Sequence, residues 1–151
     1  MNSLSVVTPV GRLALVEADG AITGLLWNAG DQGEISALLR EGARQIAAYF
    51  AGDLQVFDLP LRIAGSDFQR AVCAAMSAIA FGETRTYGDI AGDLGASAQA
   101  VGNACGANPI PVIVPCHRVL AADGLGGFSA AGGVETKVAL LRHEGAAGLL
   151  I

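Results

Sequence analysis

Apolar and polar positions alternate in three short runs near the start of the chain, at residues 4–10, 12–17 and 21–27, separated by Pro9, Gly11 and the Asp19-Gly20 pair. A period of two with turn residues between the runs predicts a three-stranded antiparallel meander. From 34 to 50 the apolar residues Ile35, Leu38, Leu39, Ile46, Ala47 and Phe50 recur at spacings near three and four, interrupted by Gly42. That spacing predicts one helix, or two with a break. Residues 56–61 predict an edge strand, because Pro60 has no N–H to give to a ladder.

The pattern changes near Ala64-Gly65. Ser66 is placed to cap a helix over 68–80, in which Phe68, Val72, Ala75, Met76 and Ile79 share one face. Thr86 caps a short helix reaching Leu94, Gly95 ends it, and Ser97 caps another that runs to about residue 107. Two short helices around a Gly-containing turn form a helix-turn-helix pattern, which is also the way ordinary helical hairpins pack. Prolines at 109, 111 and 115 forbid a continuous helix and push the residues before them to extended backbone. A stiff apolar segment therefore delivers Cys116. The Gly- and Ala-rich stretch 124–133 predicts a mobile loop, and 134–142 returns to a helical period, with Gly145 following the helix end. The fold class is α/β in the α+β sense. A small N-terminal domain, 1–63, carries the antiparallel sheet and a helix, and a mostly helical C-terminal domain, 64–151, contains the helix-turn-helix.

Composition narrows the class. Apolar types make up 52% of the chain and charged types 15%, which excludes a disordered protein. Mean hydropathy is positive at +0.50, yet no window of about 18 apolar residues runs without Gly, Pro or charge, so no membrane span or membrane partner is expected. The first residues lack a basic stretch followed by an apolar one, so the expected location is cytoplasmic. Three cysteines, an odd number, fit a reduced compartment better than a disulfide framework. Residues 1–63 hold neither Cys nor His, which excludes a thiolate and imidazole metal site there. Nine basic against fourteen acidic residues give a net charge of -5. That balance argues against holding nucleic acid by bulk electrostatics, though it leaves room for a small local contact surface.

Cys116 carries the candidate chemistry. It sits beside an imidazole at His117 and a guanidinium at Arg118, two groups able to favour a thiolate over a thiol. A free thiol with a pKa of about 8.5 is only slightly ionised near neutrality without such help. The competing reading is a buried structural cysteine, and that reading holds for Cys73 and Cys105, which lie on apolar helical stripes.

The run Pro115-Cys116-His117-Arg118-Val119 resembles the active-site motif of the O6-alkylguanine-DNA alkyltransferases, the methylated-DNA–protein-cysteine methyltransferases. Other family signatures stand around it in family order. They are Tyr49-Phe50-Ala51-Gly52, Phe57-Asp58-Leu59-Pro60-Leu61, Phe68-Gln69-Arg70, Gly82-Glu83-Thr84-Arg85-Thr86-Tyr87, Val101-Gly102, Asn108-Pro109 and Leu140-Leu141-Arg142-His143-Glu144-Gly145. The resemblance spans nearly the whole chain.

It implies a DNA repair protein that moves an alkyl group from O6 of guanine in double-stranded DNA to its own Cys116 in a single turnover. His117 would be coupled to Cys116 through a water and oriented by Glu144. Tyr87 would bond the flipped guanine and supply a proton, and Asn108 would brace the active-site turn. Ser129 would face O6 through its backbone N–H, and backbone groups of Cys116 and Val119 would read the guanine edge. The second helix of the helix-turn-helix would enter the minor groove. Gln99, just before Ala100-Val101-Gly102, stands where the family has an arginine that fills the gap left by the base, so extrusion is expected to be weaker. Ser97, Ala98, Gln99, Ala100, Gly102, Arg118, Val119 and Ser129 are the expected substrate- and DNA-facing positions. Phe128 replaces a frequent tyrosine, and Gly132-Gly133 lie in a loop about two residues longer than usual.

The resemblance implies no metal and no organic cofactor, and the expected state is a monomer. With five basic and seven acidic residues in 64–151, DNA affinity is expected to be modest and salt-sensitive. Two other readings compete. One is an alkyltransferase-like protein that flags damaged guanine without repair, against which the presence of Cys116 speaks. The other is a thiol protein unconnected with DNA, which would leave the helix-turn-helix and Tyr87 without purpose.

Overall fold

In a computed structural model, which describes residues 1–128 and 132–146, the three alternating runs form β1 (Asn2–Thr8), β2 (Gly11–Ala18) and β3 (Ala21–Trp27). They pair antiparallel in the order β1-β2-β3, with an irregularity between Val16 and Glu17. They belong to the first of two units into which the chain divides, Met1–Ala64 and Gly65–Ile151. One face of the sheet buries Leu13, Leu15, Ile22 and Leu25, and α1 (Ala37–Phe50) packs against all three strands.

One question left open for this unit is decided and one expectation is corrected. Gly42 does not break the helix. It is buried in an uninterrupted α1, where a Cβ would come within 2.7 Å of the Leu15 side chain, so its small size lets helix and sheet approach. The buried stripe is Leu39, Gly42, Gln45, Ile46 and Tyr49, rotated from the one the apolar spacing suggests; Ile35 lies outside the helix and is exposed. Residues 56–61 are not a strand. The buried Gln45 amide accepts from Asp58 N–H at 2.9 Å and donates to Asp58 C=O at 3.0 Å, occupying the groups a ladder would use. Only Leu61 bridges to the sheet, at Ile22.

The second unit is mostly helical. Ser66 caps α2 (Asp67–Ser77), which ends three residues earlier than the apolar pattern suggests. Strand β4 (Arg85–Thr86) leads into α3 (Tyr87–Leu94), where Thr86 and Asp89 bond reciprocally as a capping box. Gly95 closes α3 in the left-handed conformation, and Ser97 caps α4 (Ala98–Gly106). A 3-10 turn at Cys116–Arg118 runs into β5 (Val119–Leu120), and α5 (Val134–Glu144) follows. Gly145 N–H bonds Arg142 C=O and Ala146 N–H bonds Leu141 C=O, so α5 ends in a Schellman motif. Strands β4 and β5 pair in parallel, with Thr86 opposite Leu120. That pairing brings the start of α3, and with it Tyr87, to the end of the cysteine turn.

The segment before Cys116 is not simply extended. Residues 110–119 are all buried, and most of them have neither helical nor ladder hydrogen bonds. Ile113 N–H bonds Pro111 C=O at 2.9 Å around Val112, whose φ of 71° makes a γ-turn. Val114 N–H reaches Ile110 C=O, and Cys116 N–H closes a second γ-turn on Val114 C=O around Pro115, at φ -82° and ψ 69°. A β-branched residue with positive φ costs about 1–3 kcal/mol. Burial of the Val112 side chain, which is 1% exposed, offsets a similar amount. Among the described residues no helix is long and apolar enough to cross a membrane.

Candidate active site

Cys116 opens the 3-10 turn and is 7% exposed. It lines a cavity of about 340 Å³ together with Tyr87 at the start of α3, Gly102, Cys105 and Gly106 on α4, and Gly127 and Phe128 beyond β5. Three of those seven residues are glycines, so backbone forms much of the wall and leaves room for a flat ligand.

Burial pushes the Cys116 thiol above its ordinary pKa, opposed first by a hydrogen bond from the Asn108 side chain and then by the charge of Lys137. The neighbouring Arg118 is not the helper that its place in the sequence suggests. Asn108 also bonds the loop itself, with Nδ2 donating to Val114 C=O at 2.8 Å and Oδ1 accepting from Ile110 N–H at 3.0 Å. One amide thus fixes the turn and addresses the sulfur.

Behind the cysteine lies a buried ionic cluster. Glu144, on the last turn of α5, accepts from Arg118 Nε at Oε1 and from Arg118 Nη2 at Oε2, both at 2.8 Å, and its Oε2 lies 2.8 Å from His117 Nε2. Arg118 Nη1 donates to Ile79 C=O at 2.6 Å, and the guanidinium stands over the Phe81 ring at 5.8 Å. A carboxylate beside Nε2 holds the proton on that nitrogen and leaves the lone pair on Nδ1. Among the described residues, Nδ1 is a buried side-chain polar atom without a protein hydrogen-bond partner. Burial, the largest influence, keeps His117 below its usual pKa in spite of Glu144. The imidazole is therefore neutral at physiological pH and able to accept a proton.

Comparison with known proteins gives this cluster its context. Residues 67–146 match the family model described as 6-O-methylguanine DNA methyltransferase, DNA binding domain. A Mycolicibacterium paratuberculosis protein named methylated-DNA–protein-cysteine methyltransferase is 41% identical over 155 aligned positions, covering 93% of this chain and 90% of that protein. A protein of the same name from Methanosarcina acetivorans is 48% identical over 115 positions, 74% of this chain and 72% of its own. The chain belongs to the methylated-DNA–protein-cysteine methyltransferase family. Among solved structures, the Mycobacterium tuberculosis OGT in complex with DNA superposes with a TM-score of 0.85 at 40% identity, over 96% of this chain and 93% of that one.

The family motif residues fall into two groups. Cys116, His117, Glu144, Tyr87, Asn108 and Gly102 gather at or directly behind the cavity. Ser97, Ala98 and Gln99 are exposed on the first turn of α4, with Ala100 half-buried after them, about one helical turn before the cavity wall. One expected contact is corrected. Arg118 presents no charge to a ligand, being 6% exposed and held by Glu144 and Ile79. Val119 gives its N–H to Cys116 C=O and receives Lys137 Nζ on its own carbonyl at 2.6 Å. Ser129 lies outside the described residues.

Lys137 is the functional group that motif reading missed. It is fully buried, and its Nζ donates to Val119 C=O and, at 3.1 Å, to Gly127 C=O, while lying 5.7 Å from the Tyr87 ring centroid. The signal was present in the spacing. Lys137 and Glu144 share the buried stripe of α5 with Leu140 and Leu141, at offsets of zero, three, four and seven. Tyr87 is held close by Gly126, where φ is 74° and a Cβ would come within 2.9 Å of the phenolic oxygen. Burial raises the Tyr87 pKa, so the phenol stays a neutral donor.

Replacing Glu144 by Gln leaves the buried Arg118 charge without its counter-charge, and such a loss costs about 3–5 kcal/mol. Denaturant unfolding of E144Q should show a midpoint lowered accordingly. A midpoint equal to the native one would mean that the cluster does not hold the unit together.

Proposed function

We infer that Cys116 is the alkyl acceptor, and that the flipped guanine occupies the cavity between Tyr87 and the α4 wall. The observation that supports this most is the cavity itself, which has the cysteine at its floor, a neutral imidazole behind it and a neutral phenol on its rim. In the reaction the Cys116 sulfur gives up its proton toward His117 Nδ1 and attacks the alkyl carbon. The bond from that carbon to O6 breaks, and the electron pair stays on the oxygen, which takes up a proton supplied from Tyr87. The products are a thioether on Cys116 and an unmodified guanine. Lys137 and Asn108 stabilise the sulfur as it becomes anionic, and Glu144 the imidazole as it becomes cationic. Because a thioether does not hydrolyse, each molecule acts once.

DNA reaches this site through the α3–α4 hairpin. The exposed N-terminal turn of α4, with Ser97, Ala98 and Gln99, is small enough to enter a minor groove, and its free N–H groups suit a phosphate. Extruding the base costs a few kcal/mol. Gln99 can hydrogen-bond the orphaned partner but adds no charge. The basic groups of this unit are also largely engaged. Arg70 pairs with Asp67, Arg85 pairs with Asp93, and Arg118 and Lys137 are buried. Few cations are left to displace counterions. Affinity is therefore modest, and its salt dependence is set by the few cations that reach a phosphate. Binding without transfer is disfavoured by a cysteine at the floor of the cavity.

Intact-mass measurement after incubation with a duplex containing O6-methylguanine is the direct test. A gain of one methylene that maps to Cys116, absent in C116S, is expected. Transfer persisting in C116S would overturn the assignment. The single-turnover rate should fall on the acid side with a midpoint below 6.5, because His117 is held below that value. The rate should then stay level from about pH 7 to 9, since the Cys116 thiol and the Tyr87 phenol both titrate above their ordinary values. A decline between neutrality and pH 9 would show that another group controls the step. Stability falls over the same acid range, because the unfolded chain binds a proton at His117 that the folded one refuses, so rates are measured where the fold is intact by circular dichroism. Finally, Q99R should speed transfer and steepen the plot of log affinity against log salt by about one unit. An unchanged slope would place residue 99 away from the DNA.

A further inference from the structure

The cavity holds a second thiol that alkyl transfer does not use. Cys105, near the C-terminal end of α4, lines the same space as Cys116 and is 7% exposed. The two are tied by a short path. Asn108 N–H donates to Cys105 C=O at 3.2 Å, while the Asn108 side chain bonds the Cys116 sulfur. Lys137 acts on both sulfurs electrostatically. Cys73, the third cysteine, is fully buried in α2, does not line the cavity and has its sulfur bonded by the Gln69 amide at 3.6 Å.

We propose that Cys105 is a resolving thiol, which captures an oxidised Cys116 as a reducible Cys105–Cys116 disulfide. The oxidant is a peroxide. The Cys116 thiol passes its proton toward His117 Nδ1 as its sulfur attacks the peroxide oxygen; the O–O bond breaks, giving a sulfenic acid and a hydroxide that takes up that proton as water. The Cys105 sulfur then attacks the sulfenic sulfur, the S–O bond breaks, and the oxygen leaves as water with the Cys105 proton. Two thiols and one hydrogen peroxide thus give one disulfide and two waters.

The electrostatics favour this order. In the resting protein burial, the largest influence, pushes Cys105 up to about 12, so it is a poor first nucleophile. A sulfenic acid at Cys116 brings no charge to oppose the Cys105 thiolate, which Lys137 favours. The benefit follows from the single-use reaction inferred above, on which this role rests. A Cys116 driven on to the sulfinic acid is lost irreversibly, whereas one held as a disulfide is restored by a thiol reductant.

The test treats the whole protein with hydrogen peroxide in the absence of DNA, followed by non-reducing peptide mapping and, separately, by dithiothreitol and a transfer assay. The native sequence and C73A should lose the mass of two hydrogens, show a peptide joining Cys105 to Cys116, and recover transfer on reduction. C105A and C105S should instead add two oxygens at Cys116 and stay inactive relative to their own untreated rates. A disulfide to Cys73, or sulfinic acid forming at Cys116 equally fast with and without Cys105, would overturn the proposal. The mass readout is independent of alkyl transfer. A disulfide in a protein that never gains a methylene would sink the acceptor assignment alone, and transfer without the disulfide would sink only the resolving role.

Discussion

A carboxylate with no solvent-exposed surface must have its charge met by donors, and Glu144 meets that demand with three. Much of the second unit follows from it. Both bidentate contacts come from Arg118 and the third from His117, so two adjacent residues of the cysteine turn are held by a single side chain from α5. Arg118 extends the tie to the segment after α2 through Ile79 C=O. Helix α5 must stop where Glu144 can reach inward, and the Schellman turn at Gly145 stops it there. The same carboxylate selects the imidazole tautomer. Structural pairing and chemical polarisation are therefore one interaction, and neither can be changed without the other.

The second constraint is the buried irregular run from 110 to 119. Ten consecutive buried residues that lie mostly outside helix and ladder would ordinarily leave several polar backbone groups unpaired, each at a cost of about 1–3 kcal/mol. The sequence limits that cost in two ways. Prolines at 111 and 115 remove donors outright, and side chains supply partners for what remains, Asn108 for Ile110 and Val114 and Lys137 for Val119. Burying a lysine is expensive unless its hydrogen bonds are met, and here two carbonyls accept two of its three donors. The groups that make the loop tolerable are the groups that act on the Cys116 sulfur.

Local chemistry made the helix ends readable. Ser66, Thr86 and Ser97 cap the helices they were expected to cap, and the bounds of α3 and α4 agree within a residue, because capping depends on the backbone within a turn of itself. The meander was readable for the same reason. What failed depended on distant partners. Residues 56–61 have the composition of a strand, but Gln45, thirteen residues before Asp58, takes the backbone groups a ladder needs. Gly42 looks like a helix breaker until the Leu15 side chain beside it is known. Arg118 looks like a thiolate helper because it is near in sequence, yet its guanidinium turns away toward a carboxylate 26 residues on. Lys137 went unread because a charge on a buried stripe is visible only when the stripe is counted, and the positive φ of Val112 has no local signature at all.

Burial of the nucleophile raises its pKa, which taken alone slows attack. In the proposed mechanism the compensation lies in the surroundings, because Asn108, Lys137 and the Glu144–His117 pair are buried or part-buried and already oriented when charge develops. Such a design suits a reaction that ends with the protein modified. An enzyme that turns over must let product out and water in, which limits how deeply the nucleophile can sit. A protein that keeps the alkyl group has no such limit, and its acceptor can be built into the packed core, at 7% exposure, on the same turn that holds the unit together. The acidic surface follows similar logic. In the proposed reading, with most cations of the second unit paired within the chain, binding depends on shape and on the readiness of a damaged base to leave the stack.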